Sequence, residues 1–183
     1  MARKLFRKYM PSVDKVREFR ALNLFGEALF HPALWHLNRR SAAGGVAVGM
    51  FCGLIPGPLQ VLGAAIVCLV ARVNLPLAIV TTFYTNPFTI VPLYLVAFKI
   101  GSFTMGAGAG KPEVPPPQWD WTAIGASFNA MGEWMLGLGA PLAVGVLMLA
   151  CILSTIGYFI VRVAWNIHLR HAWHRRRTRR ATS

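Results

Sequence analysis

Few residues in this 183-residue chain are able to do chemistry, and their types narrow what that chemistry can be. No Asp or Glu stands between Phe30 and Pro112, and no His between Asn38 and Ile167. The long apolar stretch inside those limits carries only Arg72 and Lys99 as ions. General acid–base catalysis needs a titratable group of suitable pKa within reach of substrate, and none is supplied there. Gly-x-Ser-x-Gly, a phosphate-binding P-loop, His-Glu-x-x-His and paired carboxylates are all missing. No catalytic residue is assigned, and the chain is not expected to be an enzyme. Proton- or sodium-coupled carriers rely on an intramembrane carboxylate or histidine, so that class is disfavoured too.

What remains is polar and neutral to positive, and it gathers around two breaks. The first is Pro56-Gly57-Pro58, with Gln60, Arg72 and Asn74 following; the second is Thr85-Asn86-Pro87, with Thr89 following. Proline donates no backbone hydrogen bond and pushes its predecessor out of helical geometry. Each break therefore interrupts a helix, and the new helix starts carry partial positive charge suited to an anionic or polar group. Those ten residues form the candidate polar site. The plainer alternative is that both breaks only shape a packed bundle, because Gly and Pro are common in membrane helices.

Metal chemistry finds little support. Cys52, Cys68 and Cys151 lie in apolar runs without ligand spacing and read as small hydrophobes. His31 and His36 have no third ligand near them. His168, His171 and His174 recur every third residue beside Arg170 and Arg175, Arg176 and Arg177, with no carboxylate or thiolate to complete a site. Contact with lipid headgroups is the expected role of that tail, and neither a metal nor a cofactor is expected.

Hydrophobic residues make up 55% of the chain, charged ones 14%, and the mean hydropathy is +0.49. A soluble domain carries about 25% charged residues, so this composition points to a membrane. The net charge of +13 is placed unevenly: nine of 19 Lys/Arg fall in the first 40 residues and seven from Arg162 onward. Basic residues flanking apolar spans follow the positive-inside rule and suit anionic headgroups, with Arg39, Arg40, Arg175, Arg176 and Arg177 as the expected contacts. A nucleic-acid protein would spread them over one folded face among stacking aromatics, so nucleic acid is not expected as a partner. No cleavable signal peptide is visible near the basic start.

The elements that must position the breaks follow in order. Residues 1–40 form a cytosolic, amphipathic segment suited to the interface plane, with Ser12 as a helix cap. Residues 41–106 are the broken-helix membrane core. Its first helix, Ser41 to Leu54, presents Gly44, Gly45 and Gly49 at a spacing that lets another backbone approach. This helix and the next, Leu59 to Ala71, reach roughly 20 Å each, short of the ~30 Å hydrocarbon core. A re-entrant hairpin with Pro56-Gly57-Pro58 at its tip solves that problem and returns Arg40 and Arg72 to one side. Leu77 to Ile100 then reads as a crossing helix kinked at Asn86-Pro87. The alternative is a second re-entrant turn there, which would place the loop around Pro115 in the cytosol and the basic tail outside, against the charge rule. Residues 107–136 form a Gly/Pro-rich, non-cytosolic loop with a short helix at Thr122 to Met131. Residues 137–165 hold a transmembrane helix, with no charge from Leu142 to Val161, and 166–183 form a basic cytosolic tail. The fold expected is an all-α integral membrane protein: a re-entrant hairpin, a kinked crossing helix, one further transmembrane helix, and interfacial helices at both ends.

The sequence from Arg39 to Gly106 also resembles a bacterial membrane family catalogued as domain of unknown function twenty sixty-two. The likeness lies in Arg39-Arg40-Ser41, Gly45-Val46-Ala47-Val48-Gly49, Leu54-Ile55-Pro56 with Gln60, Arg72-Val73-Asn74-Leu75-Pro76, Thr85-Asn86-Pro87-Phe88-Thr89 and Pro92-Leu93-Tyr94. Where the family pattern reads Pro-x-Pro-Gly-Gln, this chain has Pro56-Gly57-Pro58-Leu59-Gln60. The resemblance implies a bacterial inner-membrane protein and carries no established activity. Fusion of the domain to a glycosyltransferase in some relatives hints at envelope or lipid-linked sugar metabolism. The function expected is assistance in transporting or handling an anionic or polar lipid-like envelope substrate. The alternative is a non-catalytic scaffold that recruits partners. The expected partners are an anionic bilayer and either a second copy of the chain or an envelope-biosynthesis protein, with both termini cytosolic.

Overall fold

A computed structural model of the chain describes residues 31–57, 59–106, 115–120 and 122–181, with side chains through 170. The expected amphipathic segment before His31, Pro58 at the hairpin tip, the glycine-rich part of the loop, and the side chains of Arg175, Arg176 and Arg177 lie outside the described residues. The described secondary structure is all helical: α1 (Pro32–Trp35), α2 (Arg39–Cys52), α3 (Leu59–Ala71), α4 (Leu75–Thr82), α5 (Ile90–Thr104), α6 (Ile124–Gly137) and α7 (Gly139–Ala181). The chain divides into two compact units. One holds the residues up to Thr82 together with those from Leu153, and the other holds Phe83–Ile152.

In the first unit, local chemistry sets each helix end. His31 Nδ1 accepts from the Ala33 amide and Pro32 starts α1, where its missing N–H costs nothing. Asn38 caps α2, its Oδ1 accepting from the Ser41 amide at 2.8 Å. The chain then turns through Gly53 to Gly57, where Gly57 takes φ 70 and Leu54 is buried. α3 returns alongside α2, close enough that a Cβ on Gly63 would lie 3.2 Å from Ile55 and 3.7 Å from Cys52 Sγ. At ~1.5 Å per residue the two helices measure about 21 and 20 Å.

α3 ends at Arg72, which adopts φ 53 while the Val73 amide donates to the Cys68 carbonyl at 3.3 Å. This is a Schellman ending, in which the left-handed position is usually glycine. α4 then packs on the glycine stripe of α2. A Cβ on Gly45 would lie 2.6 Å from the Asn74 carbonyl, one on Gly49 would strike the Ala78 carbonyl, and one on Gly44 would strike Val73. The paired numbers rise together, so α2 and α4 run in the same direction and their N-termini share one end. Leu34, Cys52, Val61, Ala64, Ala65, Cys68, Leu75, Ala78 and Ile79 form the core between them, with Trp35 packed against it. The later part of α7 runs antiparallel to α2: Gly157 faces Val46 and Met50, and Asn166 Oδ1 accepts from Arg39 Nη1 at 2.8 Å.

The second unit differs from the expectation of one kinked crossing helix. Residues 83–89 are non-helical, so α4 and α5 are separate helices. Within this unit α5 and α7 meet backbone to backbone, since a Cβ on Gly101 would strike the Pro141 carbonyl and one on Gly145 the Ala97 carbonyl. The segment expected as a loop also carries more helix, with α6 running on to Gly137. Ser127, Met131, Trp134 and Leu138 bury one stripe of it at helical spacing. Among the described helices one is long and apolar enough to cross a bilayer, over Gly139–Arg170. It leaves Leu147, Phe159 and Ile160 about 60% exposed, the surface such a helix offers to lipid.

Candidate functional site

The ten residues of the expected polar site fall in both units, and each half is described by itself. In the first unit, Pro56 is exposed and Gly57 half-buried at the tip, with open space around the Gly57 Cα. The Gln60 amide donates to the Gly57 carbonyl at 3.4 Å, closing the turn into α3. Arg72 is exposed and Asn74 wholly buried, with 0% exposure.

Asn74 is the best-placed polar side chain of the set. Its Oδ1 accepts from the Leu77 amide at 2.9 Å and its carbonyl from the Ala78 amide at 3.1 Å, which starts α4. Its own amide donates to the Ser41 carbonyl in the first turn of α2 at 3.2 Å. One group is left over: Asn74 Nδ2 is buried with no hydrogen-bond partner. Ser41 Oγ, in a residue 6% exposed, is likewise buried and unpartnered. Most buried polar atoms in folded proteins have a partner, so two orphans at one helix end need a physical account. Ser41 was not among the ten expected residues. Its position directly before Ala42-Ala43-Gly44-Gly45 was the available signal, because a run of small residues marks the face against which another backbone lies.

The half around the second break is built differently. Asn86 Oδ1 accepts from the amides of Phe88 at 3.0 Å and Thr89 at 3.1 Å, while Thr89 Oγ1 accepts from the Asn86 amide at 2.9 Å. This reciprocal arrangement is a capping box, with Pro87 at the first position of the turn that leads into α5. Thr89 Oγ1 also donates to the Tyr84 carbonyl at 2.7 Å. The hydroxyls of Thr81 and Thr82, just before the break, donate to the carbonyls of Leu77 and Ile79 at 2.7 Å. Thr85 is buried. The side-chain oxygens of Asn86 and Thr89 are thus engaged in holding their own break together. The oxygens that sequence reasoning offered to a ligand already have local partners.

The electrostatics of the first unit are one-sided. Its described residues contain no Asp or Glu, and Arg39, Arg40 and Arg72 all stand exposed at the end where α2 and α4 begin. Arg162, on α7, is half-buried and lies over the Tyr158 ring at 5.5 Å, with Nη1 3.3 Å from its hydroxyl. The second unit has an acidic residue outside the long helix. Asp120 accepts from both the hydroxyl (2.7 Å) and the amide (2.8 Å) of Thr122, and these bonds hold its carboxyl below the usual carboxylate range. That cluster organises the entry to α6, where Ser127 Oγ accepts from the Asp120 amide at 3.0 Å.

Among the described residues these features define a class: all helical, with one helix of membrane-crossing length and a basic end, free of acidic residues, where two helices begin. Within that class the chain belongs to the family described as an uncharacterized protein conserved in bacteria (DUF2062), whose model matches residues 22–174. No curated protein and no solved structure matches it.

Proposed function

We propose that this chain is a bacterial inner-membrane protein that assists the movement or handling of an anionic, lipid-like envelope substrate, without itself being an enzyme. The observation that carries the reading is the shared start of α2 and α4. Two helix N-termini, the orphaned Asn74 and Ser41 donors, and exposed arginines meet there, with no carboxylate among the described residues of the unit. Such an end attracts anions through helix dipoles and fixed cations together. The ~20 Å lengths of α2 and α3 support a hairpin that enters the bilayer and turns back, with Arg40 and Arg72 returning to the cytosolic face. The antiparallel run of α7 against α2 supports placing the basic tail on that same face.

A non-catalytic scaffold would recruit partners through the glycine face of Gly44, Gly45 and Gly49 and through the basic ends. Those glycines lie against Val73, Asn74 and Ala78 of the same chain, which favours substrate handling over recruitment through that face. The test is reconstitution into vesicles with a labelled anionic phospholipid in one leaflet. Faster equilibration than in protein-free vesicles, reduced by Asn74→Asp, is expected. Equilibration no faster than in the empty vesicles would rule the reading out.

A further inference from the structure

We infer that the common N-terminal end of α2 and α4 is a binding site for a phosphate group, with Asn74 Nδ2, Ser41 Oγ and the Arg72 guanidinium as its donors. The inference rests on the anionic-substrate reading above and gives that substrate its recognised group. α2 has 14 residues and α4 has eight, and both start at this end. Helix starts carry partial positive charge, which favours phosphate. Here the Ser41 and Leu77 amides are already capped by Asn38 and Asn74, so the ends contribute their charge rather than free amides.

Beside the helix ends stand two further observations, of which the first points to a ligand. The first is the orphan pair: Nδ2 of a residue with 0% exposure and Oγ of one with 6%, neither with a partner. Asn74 has no freedom to satisfy itself by flipping, because Oδ1 holds the Leu77 amide at 2.9 Å and fixes the amide plane. Nδ2 is therefore a fixed, desolvated donor, which gains strongly from an ionised acceptor. The second is the identity of residue 72. Its φ of 53 is a conformation in which glycine costs least, and the Schellman ending would accept glycine without loss. An arginine held there is a strained choice that the turn itself does not require. Its exposed guanidinium stands two residues before Asn74, and the described part of the unit offers no carboxylate to claim it. The orphan atoms are shielded from bulk water, so a phosphate oxygen engages them by displacing neighbouring side chains rather than by filling an open cleft.

The test uses the full chain in dodecyl maltoside micelles, which carry no phosphate, titrated calorimetrically with inorganic phosphate and separately with dihexanoyl phosphatidylglycerol. Saturable binding is expected. Binding of both probes marks a site for the phosphate group as such, whereas binding of the glycerophospholipid alone marks a headgroup site. Asn74→Asp keeps the cap oxygen while exchanging the donor for an acceptor, and should weaken binding by about tenfold or more. Arg72→Gly should weaken binding about tenfold while raising the thermal midpoint, two opposite shifts that a structural role alone would not give. Ser41→Ala should weaken binding without lowering that midpoint, since an unmade bond is being removed. If neither probe binds, or if all three variants bind as the parent does, Ser41 and Asn74 are an internal polar pair and the inference fails. Binding without lipid movement in the vesicle assay would leave the site standing and remove the transport role. Movement without binding would do the reverse.

Discussion

The Asn74 amide donates to the Ser41 carbonyl at 3.2 Å, joining the start of α4 to the first turn of α2. Both helix starts, and the glycine stripe beneath them, depend on this close approach. A methyl group at Gly45 would enter the Asn74 carbonyl, and one at Gly49 the Ala78 carbonyl. Backbone atoms cannot step aside as a flexible side chain does, so Gly45→Ala and Gly49→Ala should each destabilise by about 1–3 kcal/mol. Gly125→Ala in α6 meets nothing within 4 Å and should be neutral or stabilising by up to ~1 kcal/mol. Gly57→Ala also meets open space, yet its φ of 70 should cost about 1 kcal/mol. Thermal unfolding in detergent, read by tryptophan fluorescence, separates these four outcomes.

The second break should respond to capping chemistry. Asn86→Leu removes the acceptor of two amides and should cost about 1–2 kcal/mol, whereas Asn86→Asp keeps that acceptor and should cost far less. Thr89→Val, which loses the reciprocal bond and the donor to Tyr84, should fall between them. Denaturation midpoints check the order. Equal midpoints for Asn86→Leu and Asn86→Asp would remove the capping account.

Asp120 sets a pH dependence of definite sign. Its carboxyl is held below the usual range by the Thr122 hydroxyl and amide, so the folded state favours the ionised form. A depressed folded pKa contributes stability that is present above the unfolded value of about 3.9 and disappears as pH falls through the folded value. The turn before α6 should therefore be unchanged from neutral pH to about pH 5 and loosen only in stronger acid. Thr122→Val should move the Asp120 titration up toward the ordinary carboxylate value. The carboxyl carbon shift of Asp120, followed by NMR against pH, reads both effects.

How much was legible in the sequence depended on whether the signal was local. α3 covers Leu59–Ala71, as the apolar run between Pro58 and Arg72 led one to expect, because its ends are fixed by neighbouring residues. The first break was equally plain, and the glycines of α2 announced a close neighbour. Which helix that neighbour is could not be read, since glycine spacing carries no address; it is α4. The second break was visible as Asn86-Pro87, but its length was not, because a kink and a non-helical stretch over 83–89 carry the same dipeptide. Asn86 and Thr89 looked like ligand groups because hydrogen-bonding capacity is legible and its local consumption is not. Ser41 gives no such sign, for the opposite reason. A serine in a helix normally satisfies itself locally or faces water, and only the packing of α4 leaves its hydroxyl buried and unpaired.

The central claim is that α2 and α3 form a hairpin which enters the bilayer and returns, bringing Arg40 and Arg72 to one face. The direct measurement is labelling by a membrane-impermeant maleimide in intact cells and in inverted vesicles. It uses single cysteines introduced as Arg40→Cys, Arg72→Cys, Gly57→Cys and Pro115→Cys after Cys52, Cys68 and Cys151 have been replaced by serine. The account predicts that Arg40→Cys and Arg72→Cys react only in inverted vesicles, Pro115→Cys only in intact cells, and Gly57→Cys poorly in both. Reaction of Arg40→Cys and Arg72→Cys from opposite faces would contradict it.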